Sequence, residues 1–175
     1  MSRSPVTEPA CGFPPVSRPD ARVLVLGSLP GVRSLAESRY YAQPQNAFWR
    51  IMGALCGAGP ELPYADRLQR LVDARIALWD VVAAACRPGS LDSRIRRDTV
   101  EVNDFAAFLA AHREIERICF NGKTAAELFR RRVLPALGPH VPDILRVLPS
   151  TSPAHAAMPF ARKLDVWKQG LRLDE

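Results

Sequence analysis

The chain has 175 residues, 47% of them hydrophobic, enough for one core of ordinary size and too few for two comfortable domains. Its 24 Lys and Arg against 18 acidic residues leave a net charge of +6, a balance that favours polyanionic partners. The apolar stretches fall short of the roughly 18 to 20 residues of a membrane span, and the N-terminus lacks a signal-peptide block. Cys11, Cys56, Cys86 and Cys119 include no Cys-x-x-Cys pair. The expectation is therefore a cytoplasmic protein with no membrane role, no metal site and no disulfide framework.

In chain order, residues 1–20 carry Pro5, Pro9, Pro14, Pro15 and Pro19, and no helical or strand period runs through them. They are expected to form a disordered or loosely draped arm before a single domain over 21–175. Arg22 to Ser28 is a short β-branched apolar block closed by glycine, which reads as a buried strand of a parallel sheet. Ile76 to Val82, Arg117 to Asn121 and Ile144 to Leu148 have the same character. Between them lie helical spacings: Phe48, Ile51, Met52 and Leu55, then Phe105, Phe108, Leu109 and His112, with a further stripe from Leu128 and Phe129. Phe48 and Trp49 fall within such a stripe and read as core. Alternating strands and helices predict an α/β fold, a parallel sheet with right-handed crossovers and helices on both faces. Ligands of such sheets lie beyond the carboxyl ends of the strands. Three segments rich in Gly, Pro, Ser and Thr follow strands and should meet there: Gly27 to Gly31, Arg87 to Ser93 and Pro149 to Pro153.

Gly27-Ser-Leu-Pro-Gly31 leaves the first strand in a sharp turn, where glycine allows close backbone approach and Pro30 fixes one dihedral. Tyr40-Tyr-Ala-Gln-Pro-Gln-Asn-Ala-Phe-Trp-Arg-Ile51 follows, and Leu148-Pro-Ser-Thr-Ser-Pro-Ala-His155 comes near the end. Taken together, these three motifs resemble the uracil-DNA glycosylase superfamily, and most closely its hypoxanthine-DNA (deoxyinosine) glycosylase branch, over residues 21–170. The resemblance implies a three-layer α/β/α sandwich around a four-stranded parallel sheet. It also implies a monomeric base-excision repair enzyme that flips a deaminated base out of DNA, hypoxanthine first and uracil second, and needs no cofactor. The paired cysteines with which some relatives hold an iron–sulfur cluster are absent, so no cluster is expected.

In mismatch-specific relatives the first turn reads Gly-X-Asn-Pro-Gly and its Asn positions the attacking water; Leu29 stands there in this chain. The hypoxanthine branch uses the Asn of the next motif, which matches Asn46. An amide orients water through its carbonyl oxygen without acting as a general base. Capping of the helix starting near Ala47 is an alternative or additional role for Asn46. The base is expected to stack on Tyr41, with Tyr40 the nearest competitor, and to lie against Gly27, Ser28 and Leu29. Asp80 ends a strand where uracil-specific relatives carry Asn. As a carboxylate it would accept the N1–H of hypoxanthine or the N3–H of uracil, and as an acid it would donate to a base oxygen; it is the second catalytic candidate, with loop capping as the structural reading.

DNA contacts are expected from Pro30, Gly31, Arg87 and Ser90, and from Ser150 and Thr151 as the backbone pinch. Ser152 stands near the usual wedge position, and His155 is placed to meet phosphate or the charge on the departing base. Asn121-Gly-Lys-Thr124 lacks the earlier glycine of a phosphate loop, because Arg117 occupies its position, so it reads as a helix-opening turn with Lys123 a possible phosphate contact. Arg130, Arg131 and Arg132 read as a solvated face. No Lys in the matched motifs is placed for Schiff-base attack, so no lyase step is expected. Two other readings stay open: a non-catalytic binder of damaged DNA, which the missing Asn at Leu29 favours, and a small-molecule nucleoside hydrolase.

Overall fold

A computed structural model describes residues 8–139 and 141–174. The strands are β1 (Ala10–Cys11), β2 (Val23–Gly27), β3 (Ile76–Asp80), β4 (Val82–Ala85), β5 (Glu101–Val102), β6 (Arg117–Asn121) and β7 (Ile144–Leu148). The helices are α1 (Val32–Glu37), α2 (Phe48–Cys56), α3 (Tyr64–Asp73), α4 (Phe105–Ala111), α5 (Lys123–Leu128), α6 (Leu134–Leu137) and α7 (Phe160–Leu171), with a π-helical turn, Phe129–Val133, joining α5 to α6. No helix among the described residues is long and apolar enough to cross a membrane.

The four apolar blocks form one parallel sheet in the order β3-β2-β6-β7. Both faces are covered, which is why the strands read as continuous apolar runs and not as alternating ones. Leu24, Leu26, Ala77, Trp79, Ile118 and Phe120 pack one way, against α4 and α5. Val23, Val25, Ile76, Leu78 and Cys119 pack the other way, against α2, α3 and α7. This is the three-layer arrangement expected from the sequence.

The chain leaves β2 to reach β3 on one side, and β6 lies on the other side of β2, so the topological switch falls between β2 and β6. Gly27 and Asn121 end those two strands, the position at which sheets of this kind hold their ligands.

The sequence block 76–82 is not one strand. Val81 closes the parallel ladder by donating to the Gly27 carbonyl at 2.9 Å, and its own carbonyl accepts from Asn103 at 3.1 Å. The chain then enters a second, antiparallel sheet ordered β1-β4-β5. Of the Pro-rich arm, residues 1–7 lie outside the described residues. Residues 8–20 drape over the β3 edge: Val16 exchanges backbone hydrogen bonds of 2.9 and 2.8 Å with Leu78. The Phe13 carbonyl accepts from Trp79 Nε1 at 3.0 Å, and the Pro14 carbonyl from the Tyr40 hydroxyl at 2.9 Å. Prolines suit this path because an edge segment needs only part of its backbone donors, and the segment shields the edge from other chains.

Candidate active site

The carboxyl ends of β2, β3 and β6 bring Gly27, Asp80 and Asn121 together. A Cβ on Gly27 would stand 2.5 Å from Asp80 Oδ1 and 2.9 Å from the Tyr41 hydroxyl oxygen, so only glycine fits. Asp80 is 4% exposed, and its Oδ2 has no hydrogen-bond partner among the described residues. Burial first, and the nearby Asp92 charge second, push its carboxyl up to about 7, against an opposing pull from Arg87. Near neutral pH this group sits between acid and carboxylate. A buried carboxyl of raised pKa with an oxygen lacking a partner, at a strand end, marks a candidate functional group.

Tyr41 has a left-handed backbone, φ 53°, uncommon for a residue other than glycine. Two contacts hold it. Its ring stacks on Phe48 with centroids 4.1 Å apart, and its hydroxyl oxygen accepts from Asn121 Nδ2 at 3.0 Å. Phe48 is fully buried and backs one face of the ring, whereas Tyr41 itself is only half-buried. Burial and the Asp80 charge keep the phenol protonated far above its ordinary range. Tyr40, the competing aromatic, is buried with its hydroxyl committed to the Pro14 carbonyl.

Asn46 precedes α2 and is half-buried. Its Oδ1 accepts from the Phe48 backbone N–H at 3.0 Å, so the capping role is real. A carbonyl oxygen has two lone pairs, and the second stays available to water. Ala47 donates to the Thr151 carbonyl at 2.9 Å, which ties the Asn46 loop to the loop after β7.

The sequence did not mark Asn121 as a site residue. Its Nδ2 donates to the Tyr41 hydroxyl and to Thr151 Oγ1 at 2.9 Å, and its Oδ1 accepts from the Thr151 N–H at 2.9 Å. One amide thus joins β6, the Tyr41 loop and the loop after β7. The signal was present: a polar side chain closing an apolar strand, as Asp80 does. Asp92 was also missed; its Oδ1 accepts from the Ser28 hydroxyl at 2.6 Å.

Several expected DNA contacts take other positions. Arg87 is 5% exposed and turned inward: its guanidinium donates to the carbonyls of Leu29 at 3.2 Å, Pro30 and Gly89 at 2.9 Å. It clamps the first turn, because a buried guanidinium must find acceptors for its fixed fork of donors. Thr151 is 1% exposed, and its hydroxyl oxygen is taken by Asn121. Leu29 is buried in the core. Ser90 Oγ accepts from the Val32 N–H at 2.9 Å, where Gly31 opens α1. Ser150 Oγ accepts from the Ser152 N–H at 3.2 Å, and Ser152 Oγ from the Ala154 N–H at 3.2 Å, so both shape their own turn. Lys123 and His155 are exposed.

A family model described as "Uracil DNA glycosylase superfamily" matches residues 14–170. This chain belongs to that superfamily. A Methanosarcina acetivorans protein named hypoxanthine DNA glycosylase is 38% identical over 145 residues, covering 82% of this chain and 87% of that protein. A Methanosarcina barkeri protein of the same name is 37% identical over 128 residues, covering 73% and 78%. A solution NMR structure of a Methanosarcina acetivorans protein provisionally named a uracil DNA glycosylase superposes with a TM-score of 0.78 at 34% identity, over 96% of this chain and all of that one. As a member of this superfamily, the chain is a DNA glycosylase.

Proposed function

We propose that this glycosylase hydrolyses the N-glycosidic bond of deoxyinosine in DNA, with deoxyuridine the second substrate, as a monofunctional, monomeric enzyme. The observation that carries this reading is the unpartnered Oδ2 of buried Asp80 beside the half-open Tyr41 ring, at the switch point of the sheet. Hypoxanthine and uracil both present a ring N–H flanked by a carbonyl. The N–H fits a carboxylate that lacks a donor, and the hypoxanthine names of the two Methanosarcina relatives set the order.

The flipped base stacks on the outer face of Tyr41, which Phe48 backs, and gives its N1–H to Asp80. As the bond from C1′ to the base breaks, its electron pair leaves with the base and the sugar gains oxocarbenium character. Asn46 Oδ1 aims a water at C1′. The water oxygen bonds to C1′, its proton passes to solvent, and the base anion takes up a proton from solvent and leaves as neutral hypoxanthine. Asn121 acts as a positioning residue that holds Tyr41 and Thr151 in register. Ser150, Ser152, His155, Lys123 and the Pro30–Gly31 turn line the approach of the strand.

The test is base release from an inosine oligonucleotide, read by alkali cleavage. Asn46→Ser keeps a capping hydroxyl and shortens the reach to water. It is expected to lose about two orders of magnitude in single-turnover rate, the scale of a lost orienting contact, with melting temperature nearly unchanged. Undiminished release in that variant would remove Asn46 from the mechanism. Buried Leu29, standing where relatives position water, favours a second reading, a binder of damaged DNA; tight binding to inosine DNA without base release would establish it.

A further inference from the structure

The loop that carries Tyr41 and Asn46 is flanked by two cavities. One, about 260 Å³, is bordered by Arg39, Arg50 and Arg67 together with Gln43 and Asn46. The other, about 210 Å³, lies on the far flank, bordered by Arg50, Gln45, Ser152 and Lys163. Arg50 borders both, and the first forms an arginine-lined trough beside Asn46.

The three arginines of the trough are held differently from the ion-paired arginines. Arg18, Arg22, Arg33, Arg75, Arg96, Arg97 and Arg131 make ion pairs with carboxylates. Among the described residues, Arg39, Arg50 and Arg67 make none. Aromatic rings hold them instead. The guanidinium of Arg39 lies 5.4 Å from the Tyr64 centroid, that of Arg67 lies 5.1 Å from Trp49 and 5.4 Å from Tyr64, and that of Arg50 lies 3.9 Å from Phe160. Stacking fixes the plane of a guanidinium and leaves its N–H edge for an acceptor. Among the described residues, one of their donors has an acceptor, Arg67 Nε on the Leu62 carbonyl at 3.1 Å. The one acid bordering the first cavity, Glu37, is already paired with Arg33 at 2.9 Å. Burial first and the Arg39 charge second disfavour the charged form of Arg67, against opposing pulls from Tyr64 and Glu61. Like charges gathered beside the proposed water-positioning amide, with most of their donors uncommitted to carboxylates, suit an anion.

We propose that this trough holds backbone phosphates of the DNA strand next to the flipped nucleotide, through the guanidinium edges of Arg39, Arg50 and Arg67. The proposal rests on the reading of the protein as an enzyme acting on DNA. The occupant is a phosphodiester and not a free phosphate, because the trough lies beside the proposed water-positioning Asn46 and three guanidiniums border it, so that successive phosphates of a strand can each meet one.

The experiment is fluorescence anisotropy of an inosine-containing duplex across a salt series. It compares the wild type, Arg39→Gln/Arg67→Gln and Arg39→Lys/Arg67→Lys, each checked for folding by circular dichroism. The Gln variant is expected to bind roughly tenfold to a hundredfold more weakly at low salt, with the slope of log affinity against log salt smaller by about one to two, the contribution of one to two phosphates. The Lys variant should recover the slope, which a loss of packing would not allow. An unchanged slope in the folded Gln variant overturns the proposal. So does an altered affinity for inorganic phosphate alone, by calorimetry, with the DNA slope intact. Base release by the wild type is scored separately: its absence beside a changed slope overturns the glycosylase reading and leaves the trough standing.

Discussion

The two flanks of the crevice use arginine in opposite ways. On the β4 flank, Arg87 is buried and donates to three carbonyls, Ser28 donates to Asp92, and Ser90 caps the start of α1, so the polar groups of the two loops satisfy one another. On the α2 flank, Arg39, Arg50 and Arg67 lie on aromatic faces without a carboxylate partner among the described residues. The first flank is built as a wall and the second as a contact surface. Residue type does not separate them; the count of acceptors already supplied by the chain does.

The wall is broken most severely at Gly27. Gly27→Ala places a methyl 2.5 Å from Asp80 Oδ1, with both partners packed, so either the carboxylate or Tyr41 must move. A misplacement on this scale is expected to lower single-turnover base release by at least about a hundredfold. In the same turn, a Cβ at Gly31 meets only Ser90, at 3.4 Å from its Oγ. Gly31→Ala is therefore expected to stay within a few-fold of wild type. Equal losses in the two variants would show that the turn, and not the approach at Gly27, sets the rate.

Arg87→Met is the next test. It keeps much of the buried stem and strips donors from three carbonyls, two of them in the turn that follows β2. A cost of roughly 2 to 4 kcal/mol in stability follows from orphaned buried acceptors, seen as a lower urea midpoint with an unchanged m-value. Because Arg87 is buried and donates to carbonyls of its own chain, the salt slope of DNA binding should stay that of the wild type. A reduced slope would return Arg87 to the phosphate contacts.

The four strands of the main sheet were legible because each is a short apolar run bounded by turn residues, and the three motif loops follow strands as the placement rule requires. Asp80 and Tyr41, both named from the motif resemblance, are brought to one strand edge around Gly27. The second sheet was not, because β1 and β5 are two residues each and owe their form to pairing with β4 and not to any period. Asn121 was read as the opening of a turn because nothing local indicates that its amide reaches Tyr41, 80 residues earlier in the chain. Arg87 and Thr151 were assigned outward for the same reason: inward or outward direction is a property of the acceptors around a side chain, and those come from distant segments.

The mildest substitution tests the charge at the centre of the wall. The Asp80 carboxyl, ordinarily near 3.8, is raised to about 7 in the folded chain, mainly by burial. Between those values the folded state holds a proton that the unfolded state has lost, so stability falls as pH rises through this window and levels off above about 7. Asp80→Asn has no such proton. Its unfolding free energy relative to wild type should therefore climb from pH 5 to pH 8, by on the order of a few kcal/mol at most, read as a rising relative melting temperature. Activity carries the opposite sign. With Asp80 accepting the base N–H as a carboxylate, wild-type kcat/KM rises as pH passes through about 7. The Asn variant, which keeps a carbonyl acceptor without the charge, is expected to be slower by about tenfold and flat across that range. A wild-type profile that falls through pH 7 would instead make protonated Asp80 a donor to a base oxygen. In that case the same burial that weakens the fold at high pH would be what keeps the acid competent at neutral pH.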